Sequence, residues 1–183
     1  AEGDSVPEGT ALVYNVSLSN ASTTSTTFTF SLGGGTATAG DYGTPTFSAG
    51  VVLNADGTIT VPAGVTGFTV TVPTIVDTVY EQSETLPLTV GGVEAIGTIT
   101  DSNVPTVTTV EPGAPGTEGD AVPEGTALVY NVSLSNASTT STTFTFNLGG
   151  GTATAGDYGT PTFSAGVVLN ADGTITVPAG VTA

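Results

Sequence analysis

Residues 2–67 return at 118–183, 116 positions later, with three changes: Ser5 becomes Ala121, Ser31 becomes Asn147 and Gly67 becomes Ala183. No other feature constrains the fold as much, because whatever the first copy builds must be available twice. Near-identical tandem copies mark arrays in which each copy is one structural module. The stretch after Gly67, FTVTVPTIVDTVYEQSETLPLTVGGVEAIGTIT, has no counterpart after Ala183. It holds three more alternating patterns, so the second copy is expected to lack part of its sheet. The chain reads as an excerpt from a longer array, with a designed or truncated chain as the alternative. It opens without Met or a basic leader, so its first residue reads as internal.

Alternation with period two sets the fold class. Leu12, Tyr14, Val16 and Leu18 share one face of 11–19, and Phe28, Phe30 and Leu32 share one face of 26–32. Residues 50–53 and 58–61 flank Asn54-Ala55-Asp56-Gly57, a hairpin turn, since Asp-Gly accepts positive φ. Phe68, Val70 and Val72 form the next strand. Leu86, Leu88 and Val90 then face Val93, Ala95 and Ile99 across Gly91-Gly92. No stretch keeps a period of 3.6. Thr occurs 38 times and Val is abundant, and both suit a pleated, half-buried surface. Only 9% of residues are charged, which does not match an acidic disordered tail. The expected fold is all-β, with tandem immunoglobulin-like antiparallel sandwiches of Greek-key connection. The expected domains are 1–102 and 103–183. Val107–Val110, between Pro105 and Pro112, reads as the first strand of the second domain. By analogy the first domain is expected to lack its own first strand, and the second to be incomplete at its C-terminal end. The short connection between them argues for a stiff rod.

Composition removes whole classes of function. The chain has no Lys, Arg, His, Cys, Met or Trp, and 16 Asp and Glu give a net charge of -16. Nucleic-acid binding needs cations to neutralise phosphate, so no nucleic-acid partner is expected. Ser–His and Cys–His nucleophile pairs are impossible, as are the usual zinc, iron and copper sites. The apolar stretches are too short to insert in a membrane. A carboxylate-pair glycosidase would need a sugar cleft, and there is no Trp to stack on a sugar. No catalytic residue is expected, and the Gly33-Gly34-Gly35 run reads as a bend, not a phosphate loop.

What remains is carboxylates with no basic partner anywhere in the chain. Clustered carboxylates repel unless they are solvated or bridged by a cation. Oxygen ligands without His or Cys select Ca²⁺ or, less readily, Mg²⁺. Glu8 precedes the strand opening at Ala11, Asp41 follows Ala39-Gly40 in a loop, and Asp77, Glu81 and Glu84 share another loop. Asp101 ends the last strand. Loops of a sandwich gather at its two poles, so these six are expected to converge at one pole. The competing readings are a solvated acidic loop for Asp77, Glu81 and Glu84, and a turn-closing role for Asp41.

Four pieces in order carry a family resemblance: Val6-Pro7-Glu8-Gly9, Gly35-Thr36-Ala37-Thr38-Ala39-Gly40-Asp41-Tyr42, Asp77-x3-Glu81-x2-Glu84, and Gly97-Thr98-Ile99-Thr100-Asp101. Together they resemble the Calx-beta domain over nearly all of residues 2–101. The near-identical, acidic, Thr-rich, Cys-free copies are also similar to the extender repeats of giant bacterial RTX-type (LapA-like) surface adhesins. The resemblance implies a sandwich that binds Ca²⁺ at one pole, with Glu8, Asp41, Asp77, Glu81, Glu84 and Asp101 as ligands. Glu124 and Asp157 repeat the first two. The paired acids and the acidic run common in the family are reduced here to Asp77 and Asp101, so the implied load is one or two ions per complete repeat.

The function expected from this reading is an extracellular, bacterial cell-surface extender, stiffened by Ca²⁺ and serving adhesion and biofilm formation. Its partners would be neighbouring repeats of the same chain. The alternative is a subunit of a self-assembling filament or sheath, in which identical chains complete one another's sheets by strand complementation.

Overall fold

The computed structural model describes residues 4–113 and 121–183. The described residues form strands and turns, with no helix. The chain divides into two compact units, one of Ala1–Asp77 with Gln82–Ser102 and the other of Thr78–Glu81 with Asn103–Ala183.

Nine strands build the first unit: β1 Ser5–Pro7, β2 Leu12–Ser17, β3 Thr26–Leu32, β4 Thr46–Phe47, β5 Val52–Leu53, β6 Thr58–Val61, β7 Gly67–Val72, β8 Glu84–Val90 and β9 Val93–Thr100. They lie in two sheets, ordered β1-β9-β8-β3-β6-β5 and β2-β7-β4. The chain switches sheets six times, at β1–β2, β2–β3, β3–β4, β4–β5, β6–β7 and β7–β8. This is how an immunoglobulin-like sandwich distributes its strands. All pairings are antiparallel except β1 with β9, a short parallel strand that the alternation does not show.

The expected apolar faces meet between the sheets. Leu12, Tyr14, Phe68, Val70 and Val72 from one sheet and Ile59, Val61, Leu86, Leu88, Val90 and Ile99 from the other are all buried. Val16, Leu18, Phe28, Phe30 and Leu32 pack against this core partly exposed. The Tyr14 hydroxyl crosses the core to donate to the Leu86 carbonyl. Burial pushes that phenol up to about 12. Gly97 on β9 makes the crossing possible, since a Cβ there would sit 2.3 Å from Leu12 Cδ2 and 2.7 Å from the Tyr14 oxygen.

The second unit has five strands: β10 Val107–Pro112, β11 Tyr130–Leu134, β12 Thr142–Thr145, β13 Val168–Leu169 and β14 Thr174–Val177. β10 pairs antiparallel with β11, and β14 lies between β12 and β13. Within this unit the Tyr80 N–H donates to the Ala137 carbonyl at 2.8 Å, and the Thr139 N–H to the Tyr80 carbonyl at 2.9 Å. The strand expected at Val107–Val110 is present. Among the described residues of this unit, the buried side chains are Val177 and Ser138, together with the ring of Pro105.

Candidate metal centre

The loop that carries Asp41 is laced to the ends of two strands. The Asp41 carbonyl accepts the Ile75 N–H at 2.9 Å, just past the end of β7, and the Gly43 N–H donates to the Pro73 carbonyl at 2.8 Å. Upstream, the Thr36 N–H donates to Thr85 Oγ1 at 3.1 Å, and the Thr85 N–H returns a bond to Thr36 Oγ1 at 2.8 Å. The Ala37 N–H adds a third bond, 3.1 Å to the Thr85 carbonyl. Gly35 permits this close approach, because a Cβ there would stand 2.2 Å from the Thr85 carbonyl oxygen. These bonds set Asp41 beside the first residues of β8, where Glu84 opens the strand.

Asp41 and Glu84 each offer one carboxylate oxygen, and these oxygens lie within 4.8 Å of one another. Asp41 is buried, while Glu81 and Glu84 are half-buried. The Asp41 carboxylate also accepts the Thr38 N–H at 2.5 Å. The turn-closing role considered for Asp41 is therefore real. It does not exhaust the group, because a carboxylate has about four acceptor positions.

The dimensions suit a hard cation. Ca²⁺ binds oxygen at about 2.3–2.6 Å, so oxygens on opposite sides of one ion stand roughly 4.6–5.2 Å apart. Two oxygens spaced as these are can share a single ion, with carbonyls and water completing the shell. The chain has no cationic side chain that could take the ion's place.

Glu8, Asp77 and Asp101 do not join Asp41 and Glu84 in one group. Backbone register puts Glu8 and Asp101 side by side, since Pro7 pairs with Thr100 and the Glu8 N–H donates to the Thr100 carbonyl at 2.9 Å. Glu84 pairs with Ile99, two residues before Asp101. Those three backbones thus share one end of the six-stranded sheet. Asp77 is exposed, two residues beyond Ile75.

Glu124 and Asp157 face a different setting. Both are exposed, and with Gly125, Thr152, Ala153 and Gly156 they line one open recess in the second unit. Asp157 repeats the local turn of Asp41, taking the Thr154 N–H at 2.6 Å and the Thr154 hydroxyl at 2.9 Å. These bonds lower the Asp157 carboxyl below its ordinary value. The first copy's carboxylates at 81 and 84 have no equivalents in the second, so the recess holds two acids of the repeat and no third.

Sequence reasoning missed the Thr36–Thr85 clasp. The two residues lie far apart in a chain full of threonine, and nothing marks either one. It also had no means of ranking the six acids, because Asp41 and Glu84 are brought together by the clasp and by the loop bonds to Pro73 and Ile75.

No protein-family model matches the chain, and no curated protein matches it, so the Calx-beta resemblance rests on the residues quoted above. Among solved structures the chain is similar to domains of the S-layer protein SbsC. Domains 4 and 5 align at a TM-score of 0.32 with 19% identity, covering 55% of this chain and 47% of that one. Domains 4–9 align at 0.33 with 16% identity, covering 100% and 26%. Domains 5–6 align at 0.30 with 16% identity, covering 98% and 81%. The chain thus spans less than half of the first and about a quarter of the second. Likeness of this degree does not separate one β-rich lineage from another and carries no functional argument. No helix among the described residues is long and apolar enough to cross a membrane.

Proposed function

We propose that the chain is a structural repeat of an extracellular bacterial surface protein, and that Ca²⁺ bound by Asp41 and Glu84 stabilises its sandwich. The observation that carries the reading is the pair of carboxylate oxygens of Asp41 and Glu84 within 4.8 Å in a chain without a single basic side chain. Glu8, Asp77, Glu81 and Asp101 are the further candidate ligands. The near-identity of the copies supports a spacer or extender role in adhesion and biofilm formation, because such a role calls for copy number rather than individually tuned sites. A structural rather than catalytic role is supported by the residue inventory, which offers carboxylates and tyrosines as its only titrating groups.

Thermal unfolding with Ca²⁺ and with EDTA tests the metal reading. At a hundredfold excess over Kd, one ion adds about 2.7 kcal/mol to the state that binds it. The first unit's transition should rise with Ca²⁺, and the rise should vanish in Glu84→Gln. An unchanged transition in EDTA would leave the acids as solvated surface.

A further inference from the structure

Within the second unit a four-residue segment is held by a turn whose sequence the chain contains twice. Thr78–Glu81 fold with the second unit, although Gln82–Ser102, which follow them, fold with the first. Tyr80 makes a parallel bridge with Ser138. Its N–H donates to the Ala137 carbonyl at 2.8 Å, and its carbonyl accepts the Thr139 N–H at 2.9 Å and the Thr139 hydroxyl at 3.4 Å. Both backbone groups of one residue are thus satisfied by one turn, and Ser138 between them is buried. Bonds of this kind hold an extended segment by its main chain.

The turn itself belongs to the repeat. Asn136–Thr140 has the sequence of Asn20–Thr24, Asn-Ala-Ser-Thr-Thr. The two turns also close on themselves alike. The Thr140 N–H donates to Ser138 Oγ at 3.1 Å, and the Thr24 N–H to Ser22 Oγ at 3.2 Å. Asn136 Nδ2 donates to the Ala137 carbonyl at 3.1 Å, and Asn20 Nδ2 to the Ala21 carbonyl at 3.1 Å. The Ser138 carbonyl accepts the Gly180 N–H at 2.9 Å, and the Ser22 carbonyl the Gly64 N–H at 2.8 Å. None of these bonds involves Tyr80, so the turn takes its shape from the repeat. A site shaped before its occupant arrives loses little freedom on binding. The Ala137 carbonyl serves Asn136 and Tyr80 at once, as its two lone pairs allow.

We propose that the Asn20–Thr24 turn is a second seat of this kind, which binds the Thr78–Glu81 segment of another repeat through the Ala21 carbonyl and the Thr23 N–H. The second unit identifies the occupant, because that segment lies there on the same five residues. One repeat would then carry both halves of the contact, the turn and the segment. The proposal rests on the structural-repeat reading above and names a contact by which repeats recognise one another without the carboxylates.

The test uses the full 183-residue chain, isotope-labelled, with an unlabelled synthetic peptide of residues 76–84. At saturation the peptide should shift the amide signals of Ala21 and Thr23 and slow exchange at Thr23 by at least about tenfold, as expected for an N–H that gains a partner. A peptide carrying Tyr80→Pro should leave both signals in place, because it lacks the N–H that the Ala21 carbonyl would accept. In the chain itself, Tyr80→Pro should speed exchange at Thr139 by at least about tenfold. The wild-type peptide should then shift Thr139 as it shifts Thr23. A peptide that moves Thr139 in that variant but never Thr23 would overturn the proposal, as would equal action by the Tyr80→Pro peptide or no shift at either turn. Unchanged exchange at Thr139 would remove the seat on which the proposal is built. Unfolding with Ca²⁺ and with EDTA separates this contact from the metal reading. A Ca²⁺-dependent transition in a chain blind to the peptide sinks the contact alone. Peptide binding without Ca²⁺ dependence supports the contact and removes the metal.

Discussion

The same residues stand in two environments within one chain, and what each copy keeps shows which contacts are local. The hairpin at Asn54–Thr58 is reproduced at Asn170–Thr174. The Asn54 N–H reaches the Thr58 carbonyl at 2.8 Å, and the Asn170 N–H reaches the Thr174 carbonyl at the same distance. Asp56 accepts the Thr58 N–H and hydroxyl at 3.0 and 2.7 Å, and Asp172 does the same with Thr174. The Phe30–Phe47 edge contact at 5.3 Å recurs as Phe146–Phe163 at 5.3 Å. By contrast, the burial of Leu12 and Tyr14 and the strand at Thr46–Phe47 are lost at the corresponding positions. Thr46–Phe47 pairs with β7, and the described residues of the second unit include no strand equivalent to β7. Short-range turns and ring contacts travel with the repeat, whereas the core requires the partner strands.

Matched substitutions in the two copies are the sharpest way to break that comparison. Leu12→Ala should cost the first unit about 2–5 kcal/mol, as for a fully buried leucine. Leu128→Ala should change the second by less than about 0.5 kcal/mol. Urea unfolding followed by NMR separates the two, because each copy has its own resonances while proteolytic peptides from both would share masses. Equal costs at the two sites would mean that Leu128 is also buried in solution.

Tyr14 and Tyr130 form the next pair. A phenol raised to about 12 in the fold, against 10.0 in the unfolded chain, favours folding while it stays protonated. That contribution is fully present below pH 10 and is lost as pH climbs through 10 to 12. Two pKa units correspond to about 2.7 kcal/mol. The first unit's stability should therefore fall steeply across that alkaline window, and Tyr14→Phe should flatten the fall. Tyr130→Phe should leave the profile as it was.

Gly35 and Gly151 test the approach that builds the carboxylate group. A Cβ at Gly35 meets the Thr85 carbonyl, whereas a Cβ at Gly151 meets nothing within 4 Å. Gly35→Ala should cost about 1–3 kcal/mol through forced displacement and should weaken Ca²⁺ dependence by moving Asp41 from Glu84. Gly151→Ala should be within about 0.5 kcal/mol of neutral. Calorimetry with and without Ca²⁺ reads both effects.

The sequence made the sandwich legible because its alternation is strong. The faces of Leu12–Tyr14, Phe68–Val72 and Leu86–Val90 needed only the period of two. β1 escaped notice because Ser5–Pro7 is too short to alternate, and its pairing depends on β9, some ninety residues away. The acids could be recognised as a class but not sorted. The pairing of Asp41 with Glu84 follows from hydrogen bonds between distant threonines, and such bonds leave no pattern along the chain.

The smallest expected effect is the one that should not differ between copies. Asp56 and Asp172 are both lowered below the ordinary carboxylate value, in each case first by the hydroxyl of the threonine two residues on. A carboxyl depressed in the fold stabilises it above the unfolded pKa, and that contribution is lost as pH falls through the folded one. The window therefore lies below the 3.8 of an unperturbed Asp. Asp56→Asn and Asp172→Asn should each blunt the acid sensitivity of their own hairpin, by small and matching amounts, in NMR titrations of Thr58 and Thr174. A clear inequality would show that even this turn senses the strands packed behind it. The division between local and long-range contacts would then have to be drawn inside the hairpin, between the Asp–Thr bonds and the β5–β6 ladder that closes on them.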